Sequence, residues 1–518
     1  MLQFQFPLLF CAVLLLLWHC PATRSDDSSL QLSVGNVHLQ SSVPTTLEGL
    51  LEQTNAFCAS PAAATIGVQL HRCRWVVAGC ILDKMNHATS TQYLRTLKSP
   101  TLQYDHIVSA TGAATGGATT TILFLLHDAP ITNINGGLIG TIEAALGLQV
   151  QGYHVRVALL HASVDFVSHH FPLAQNILLP YSDFRHDMVL EQHELQWTIV
   201  VATYFPTVWM ALEIADVTQA KVIYFAQDYE PMFEQLASPV AWAAALSYVI
   251  EPERVHIVSY SSWVLSKIES KHGIQNSWKV ECHPRREESV SIANEHKHKH
   301  KHKHKHKAIL TEKTDDAVVI VAMIRPSTPR RAPLLTLSAL RRVRDRVVRN
   351  GNNNNLRIVT FGCETSEMQI IANSTWNARA LSKWWSTRKG QAWPWLEHVG
   401  ILNHTQVQMM LSNADIFLDL SIWQAYGFTA QESMLHKVVP VVSSNSGVYD
   451  FVKPGTDAFI VHNEDDAVSA MERLIDNATL RNNMQEAARM SILERTRETT
   501  GASWDRAVKT ILQIITYT

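Results

Sequence analysis

The sequence predicts an α/β protein made of two doubly wound domains in tandem, with a cleft between them. Three observations carry that expectation. The chain has 518 residues, too many for one hydrophobic core. From Thr119 onward, short apolar runs alternate with helical segments. The alternation breaks once, in a polar tract near residues 285–312, and then restarts. Composition fits an ordinary globular protein, with 46% hydrophobic and 17% charged residues. A formal charge of -2 gives no general attraction for nucleic acid, so no nucleic-acid partner is expected.

The elements follow in order. "FPLLFCAVLLLLW", Phe6 to Trp18, is solidly apolar, and Arg24 is the first charged residue. Thirteen residues reach about 20 Å as a helix, short of a hydrocarbon core of roughly 30 Å. Residues 1–24 therefore read as a signal peptide ending near Cys20–Ala22, although no positive charge precedes the apolar run. A type II membrane anchor through residues 3–23 is the second reading, and a buried core helix the third. The first two place the body in the lumen of the secretory pathway (ER or Golgi), secreted or membrane-anchored. Three sequons, at Asn373, Asn403 and Asn477, agree with that compartment. Of seven cysteines, Cys58, Cys73 and Cys80 cluster, and a disulfide among them and buried free thiols are both open. No CxxC pair occurs.

Residues 25–117 show weak periodicity and read as a stem or extension. A first domain is expected over 118–285. "TTILFLLHDAP" is a buried strand with His127 and Asp128 at its tip. "NINGGLIGTIEAALGLQVQGY" reads as a glycine-rich loop and then an amphipathic helix, with Leu138, Ile142, Ala145 and Leu146 on one side. "HVRVALL", "WTIVVATYF" and "KVIYFAQDY" are further strands, with helical "PTVWMALEIAD" between the last two. "HIVSYSSWVLSKIESKHG" adds a strand and a helix. A linker spans 286–312. It holds six His and six Lys in strict alternation, His296 to Lys307, which cannot bury a face and read as a solvated insert, with metal binding as the rival reading. "NGNNNN", Asn350 to Asn355, is a second such patch.

A second domain is expected over 313–497. "AVVIVAMI", "LRIVTFG", "DIFLDL", "VVPVV" and "AFIV" are its strands. "APLLTLSALRRVRDRVV", "TQVQMMLSNA" and "FTAQESMLH" are helices, followed by helical 464–476 and 478–496. An amphipathic helix within 498–518 closes the chain. The two Rossmann-like sheets would present a crevice at the carboxyl ends of their strands.

Candidate chemistry clusters at those strand ends. "MIRPSTPRRAP" sets Arg325 at one, with Arg330 and Arg331 after a loop stiffened by Pro326 and Pro329. Guanidinium forks match diphosphate oxygens bidentately, whereas the bland alternative is a solvated turn. "AYGFTAQES" would aim a helix N-terminus into the cleft, with Tyr426, Gly427 and Phe428 at its tip and Glu432 just over a turn inside. The bland reading of Glu432 is an acid favoured by the helix dipole. Gly136 and Gly137 let backbone amides approach a ligand, or simply form a βα turn. "FAQDYEPMF" gathers Gln227, Asp228, Tyr229 and Glu230 at a strand end, suited to sugar hydroxyls or to a capped turn. "SSNSGVYDF" offers hydroxyls and amides at another. No Walker loop and no Asp-x-Asp metal motif in a suitable strand-end context occurs, so no metal or cofactor is expected.

These motifs together resemble the retaining GT-B-fold glycosyltransferases of family 4 (group 1 type), with "FAQDYEPMF" similar to its rhamnosyltransferase-like branch. The resemblance covers about 119–500 and is strongest over 317–465. Members carry two acids separated by seven residues with an aromatic-glycine pair between, a basic pair after the first strand of the second domain, and a Gly-Gly loop in the first. The resemblance implies that Arg325 and Arg330 hold the donor diphosphate, with Arg331 as competitor for the second place. It implies that Glu432 accepts hydrogen bonds from the ribose hydroxyls. Gln424 departs from the pattern, standing where members have the first acid, beside the donor sugar. An amide keeps an acceptor but loses the charge that would favour an oxocarbenium-like transition state. Asp228 is the candidate acceptor-side group. The implied activity is metal-independent hexosyl or deoxyhexosyl transfer from a nucleotide sugar of unidentified base to a glycan, glycoprotein or lipid. A catalytically silent sugar- or nucleotide-binding scaffold and a nucleotide-sugar epimerase are the rival readings.

Overall fold

The computed structural model describes residues 29–34, 37–42, 120–126, 135–181, 197–233, 239–284, 317–349, 356–368 and 395–514. The apolar segment read as a signal peptide or anchor, His127, Asp128, the Cys58–Cys80 cluster, Asn373, the His/Lys tract and the asparagine-rich patch lie outside them. No helix among the described residues is long and apolar enough to cross a membrane.

Strands β1 (Ser29–Val34) and β2 (Val37–Ser42) pair antiparallel, Ser29 opposite Ser42. The first lobe then runs β3 (Thr121–Leu126), α1 (Gly136–Val150), β4 (His154–Leu160), α2 (Val164–His170), β5 (Leu178–Tyr181) and β6 (Ile199–Ala202). It continues through α3 (Phe205–Thr218), β7 (Lys221–Phe225), α4 (Pro239–Leu246), β8 (Val255–Ser259), α5 (Ser262–His272) and β9 (Ser277–Lys279). Its strands form one parallel sheet in the order β5-β4-β3-β6-β7-β8-β9. The second lobe runs β10 (Val318–Met323), α6 (Pro333–Arg349), β11 (Leu356–Phe361), β12 (Glu397–His398), α7 (His404–Leu411) and β13 (Ile416–Asp419). After these come α8 (Phe428–Leu435), β14 (Val439–Ser443), β15 (Phe459–Val461), α9 (Glu464–Asp476), α10 (Ala478–Leu493) and α11 (Arg497–Gln513). Its parallel sheet has the order β12-β11-β10-β13-β14-β15.

Parallel strands need crossover connections, and the helices that supply them cover both faces of the sheet. That is why β3 and β10 read as unbroken apolar runs: Ile122 to Leu125 and Val319 to Ala322 are fully buried. Each sheet reverses direction of growth beside its first strand, between β3 and β6 and between β10 and β13. Such switch points open a crevice at the strands' carboxyl ends. Helix α1, which begins at Gly136, and the loops carrying Arg325–Arg331 and Gln424–Gly427 follow the strands at these two points.

Two local expectations are corrected. Gly136 and Gly137 are not a loop ahead of the helix; they are its first two residues, capped by Asn135 Oδ1, which accepts from the Leu138 amide at 2.8 Å. Nor is α1 one-sided. Every residue from Leu138 to Leu148 is buried, including Thr141 and Glu143, because α11 returns to the first lobe and covers the outer face. The two helices cross at Gly147 and Gly501, so closely that a Cβ on Gly501 would lie 2.2 Å from the Gly147 carbonyl oxygen. Tyr153 Oη reinforces the packing by donating to Asp505 at 2.7 Å.

Candidate active site

The loop after β10 is shaped by its own backbone. The Thr328 amide donates to the Arg325 carbonyl, and a short turn at Pro329–Arg331 follows. Three guanidiniums leave this loop. Arg331 pairs with Asp419, at the end of β13, at 3.2 Å. Arg330 Nη1 donates to Gln424 Oε1 at 3.2 Å, and its guanidinium lies 4.5 Å from the ring centre of Trp423 and 5.4 Å from that of Phe233. No carboxylate pairs with Arg325 among the described residues. The Nε–H groups of Arg330 and Arg331 are buried and make no hydrogen bond. Burial pushes Arg330 down to about 10, and Arg331 adds to the effect while Asp228 and Asp419 oppose it. Burial and then Arg331 lower Arg325 as well. The loop holds more positive charge than its surroundings neutralise, which is the electrostatic condition for binding an anion.

The segment after β13 is pinned from both sides. The Ile422 amide donates to the Arg330 carbonyl at 2.7 Å, the Gln424 amide to Asn445 at 3.1 Å, and the Gly447 amide to the Gln424 carbonyl at 2.9 Å. Gly427 caps α8 with φ +105°, and a Cβ there would lie 2.7 Å from Val448 Cγ1, so both conformation and space demand glycine. Glu432 is buried one turn into α8, with His404 Nδ1, at the first residue of α7, 3.7 Å from its Oε1. Phe428 rests against Gly136, whose absent Cβ would sit 3.0 Å from the ring. The N-termini of α1 and α8 therefore meet across the lobes. Tyr426 faces away from open space: it is buried, and its hydroxyl donates to the Cys282 carbonyl at 2.9 Å, as Gln431 Nε2 does at 3.1 Å.

On the first-lobe wall, the residues of "FAQDYEPMF" divide. Asp228 alone among its polar groups is under the influence of the arginines. Burial pushes its carboxyl up to about 6, against the pull of Arg330, the Tyr229 amide and Arg331. Gln227 turns inward, donating to Thr141 at 2.9 Å. Tyr229 stacks on Tyr248 and bonds His272 Nε2 at 3.0 Å. Glu230 caps α3 by accepting from the Phe205 amide at 2.7 Å, and burial pushes it up to about 8. The pairing of two acids with aromatic rings for sugar binding thus reduces to Asp228. The "SSNSGVYDF" loop joins the lobes: Asn445 Oδ1 accepts from Trp263 Nε1 at 2.8 Å, and Asp450 Oδ2 from the Ser262 amide at 2.8 Å.

The structure brings Gln424, Asp228, Arg330 and Arg331 into one electrostatic cluster, with Arg325 beside it and Glu432 deeper in the second lobe. Gly136, Gly137 and Phe428 line the seam between helix ends, and Gly427 sets α8. Sequence reasoning missed Phe233, Trp423, Trp263, Asp419 and His404. The signal for Asp419 was available, as an acid ending a strand at the switch point; the aromatic partners lie across the lobes and leave no local pattern.

Residues 308–491 match the family of group 1 glycosyl transferases. No curated protein matches the chain in sequence. Among solved structures, HepE of Anabaena in complex with UDP-glucose is similar at TM-score 0.54 and 11% identity, over 75% of this chain and 99% of that one. A glycosyltransferase from Rickettsia africae is similar at 0.53 and 14%, over 77% and 100%. Sucrose-phosphate synthase from Thermosynechococcus elongatus is similar at 0.52 and 12%, over 76% and 99%. At these identities the likeness concerns the fold. The two-lobed GT-B architecture expected from the sequence is the one the chain has.

Proposed function

We propose that the chain is a glycosyltransferase moving a hexosyl or deoxyhexosyl group from a nucleotide sugar to a glycan, glycoprotein or lipid acceptor, with retention at the anomeric carbon and no metal ion. One observation carries the reading: a loop of three arginines, with Asp419 as its one paired carboxylate among the described residues, faces the segment that ends in the N-terminus of α8. The match of residues 308–491 to group 1 glycosyl transferases, and the UDP-glucose held by the similar HepE, support it.

The chemistry follows from the geometry. Transfer leaves a nucleoside diphosphate whose charge grows as the glycosidic bond breaks. Arg325 and the free edge of Arg330 would hold those oxygens, and the unpaired amides of α8 would add their partial positive charge. Glu432, an acceptor-only group when ionised, would take the vicinal ribose hydroxyls. Gln424 is already engaged through Oε1 with Arg330, leaving its amide donors for the sugar. Asp228, across the cleft, would receive the acceptor hydroxyl. The body of the chain is proposed to lie in the secretory lumen behind the leader of residues 1–24, cleaved or retained as an anchor.

Calorimetric titration of the purified protein with UDP, GDP and TDP tests this. One nucleotide should bind without added metal, and Arg325→Ala and Glu432→Ala should each weaken it at least about tenfold, the worth of one charged hydrogen bond. A folded protein that binds none of the three overturns the donor site. Binding without turnover of any sugar donor would favour the silent scaffold, and an epimerised donor the epimerase.

A further inference from the structure

Arg330 sits in an arrangement that phosphate binding alone does not require. It belongs to the second lobe, and so does Trp423, whose ring lies 4.5 Å from the guanidinium carbon. Phe233, 5.4 Å from that carbon, belongs to the first lobe, at the end of the turn after Asp228. Phe233 also meets Trp423, ring centres 5.4 Å apart. Trp423 in turn stacks on Trp263 in the first turn of α5, at 5.8 Å and 7°. Thus two second-lobe groups each have a first-lobe ring against them.

Phe233 is 48% exposed, so core packing does not explain its place. A planar cation set in a corner between two rings loses most of its freedom to swing. The three centres form a near-equilateral triangle, so the two rings meet at a corner in which the guanidinium rests, and the sides away from the rings stay open to a ligand. Arg330 spends Nη1 on Gln424, and its Nε–H is left with no partner. The second ring is present only while the lobes are together.

We propose that Phe233 is a positioning residue that couples donor binding to lobe closure: it supplies the second wall of the aromatic corner that holds the Arg330 guanidinium in place for the donor diphosphate. The identity of the anion rests on the donor site proposed above; the clamp itself does not. Trp263 serves the same end by bracing Trp423. In the open molecule Arg330 keeps one ring and swings more freely, so the diphosphate is gripped fully only after closure.

The test compares Phe233→Leu, which keeps the apolar bulk, with Phe233→Trp, which keeps the ring face. UDP and inorganic pyrophosphate are titrated into the full chain. A cation–π contact of this kind corresponds to about a tenfold change in a binding constant. Phe233→Leu should therefore bind both probes about tenfold more weakly, while Phe233→Trp stays within about twofold of the parent. Equal affinity for the leucine variant, or a loss in the tryptophan variant as large as in the leucine one, overturns the proposal. Hydrogen exchange of the ligand-free protein gives a reading independent of any nucleotide. Residues 262–266 and 421–427 should exchange faster in Phe233→Leu and not in Phe233→Trp. If the parent binds neither probe, the donor site falls and the clamp is judged on exchange alone, where unchanged rates in the leucine variant sink it.

Discussion

Glu230 shows how much the setting of a single residue decides. Its neighbour in sequence by two, Asp228, stays in reach of the arginines, whereas Glu230 is buried beneath α3 with the Phe205 amide as its hydrogen-bond donor. Burial raises it from an ordinary carboxyl value to about 8, so the folded protein keeps it protonated where the unfolded chain ionises it. Below the unfolded value of 4.5 the two states match; above it stability falls with rising pH until the folded group ionises near 8. His256 and His436, pushed down to about 4 by burial, act with the opposite sign and only below their ordinary value of 6.5. Between pH 6.5 and 8 Glu230 therefore dominates, at about 2 kcal/mol over the window. Glu230→Gln keeps the acceptor for Phe205 and loses the titration. Its urea midpoint should stay flat from pH 6.5 to 8 while the parent's declines; parallel curves would refute the assignment. None of this separation was legible in "FAQDYEPMF", where both acids look alike. The place of the arginine loop was legible, because prolines and a strand end are written in consecutive residues; that Gly427 is required by a positive φ and by Val448 was not.

Among elements, runs apolar throughout announced themselves even when short, as β15 did in "AFIV", whereas short segments of mixed character did not. β4 occupies the whole of "HVRVALL", and α9 spans the expected 464–476. β5, β9 and β12 have four, three and two residues, too few for any periodicity to develop. The burial of α1 on all sides was equally hidden, since the element that covers it lies more than 340 residues later in the chain. The crossing of α1 and α11 makes a prediction of its own. Alanine gains about 1 kcal/mol over glycine in a helix interior. At Gly501 the added carbon would meet backbone at 2.2 Å, which cannot move aside as a side chain would. Overpacking of that kind costs about 1–3 kcal/mol and should win. At Gly147 the nearest backbone atom is 3.0 Å away, a milder conflict. Thermal melts should rank the parent first, Gly147→Ala next and Gly501→Ala last. A Gly501→Ala variant as stable as the parent would mean that the helices do not approach as described.

At the scale of the molecule, the chain passes between lobes twice, after Pro284 and between Leu493 and Arg497, and both passages are tied to one buried carboxylate. Glu143 Oε2 accepts from Arg497 Nη2 at 2.8 Å and lies 3.1 Å from His283 Nε2. His283 Nδ1 is 2.8 Å from the Thr500 hydroxyl. One residue earlier, the Cys282 carbonyl accepts from Gln431, in the helix that holds Glu432, and from Tyr426 just ahead of that helix. A continuous path of bonds thus runs from the proposed ribose-binding helix, through the 282–283 peptide, to the point where both crossings meet. Burial alone would raise the Glu143 carboxyl, but His283 and Arg497 outweigh it and hold the group below its ordinary value. Its contribution to stability is therefore present above the unfolded value of 4.5 and is lost as pH falls through the folded one. Glu143→Gln keeps the shape and removes the charge that faces Arg497 and His283. Replacing a charged hydrogen-bond partner by a neutral one at a buried site costs about 2 kcal/mol, so the melting temperature at pH 7 should drop by a few degrees. The difference between parent and variant should shrink on the acid side, where the parent loses the same interaction. Because the 282–283 peptide anchors α8, UDP affinity at a temperature where the variant is folded should fall too, although Glu143 lies outside the cleft. A variant that melts lower but binds UDP like the parent would leave the node as a brace for the fold and cut its link to the donor site.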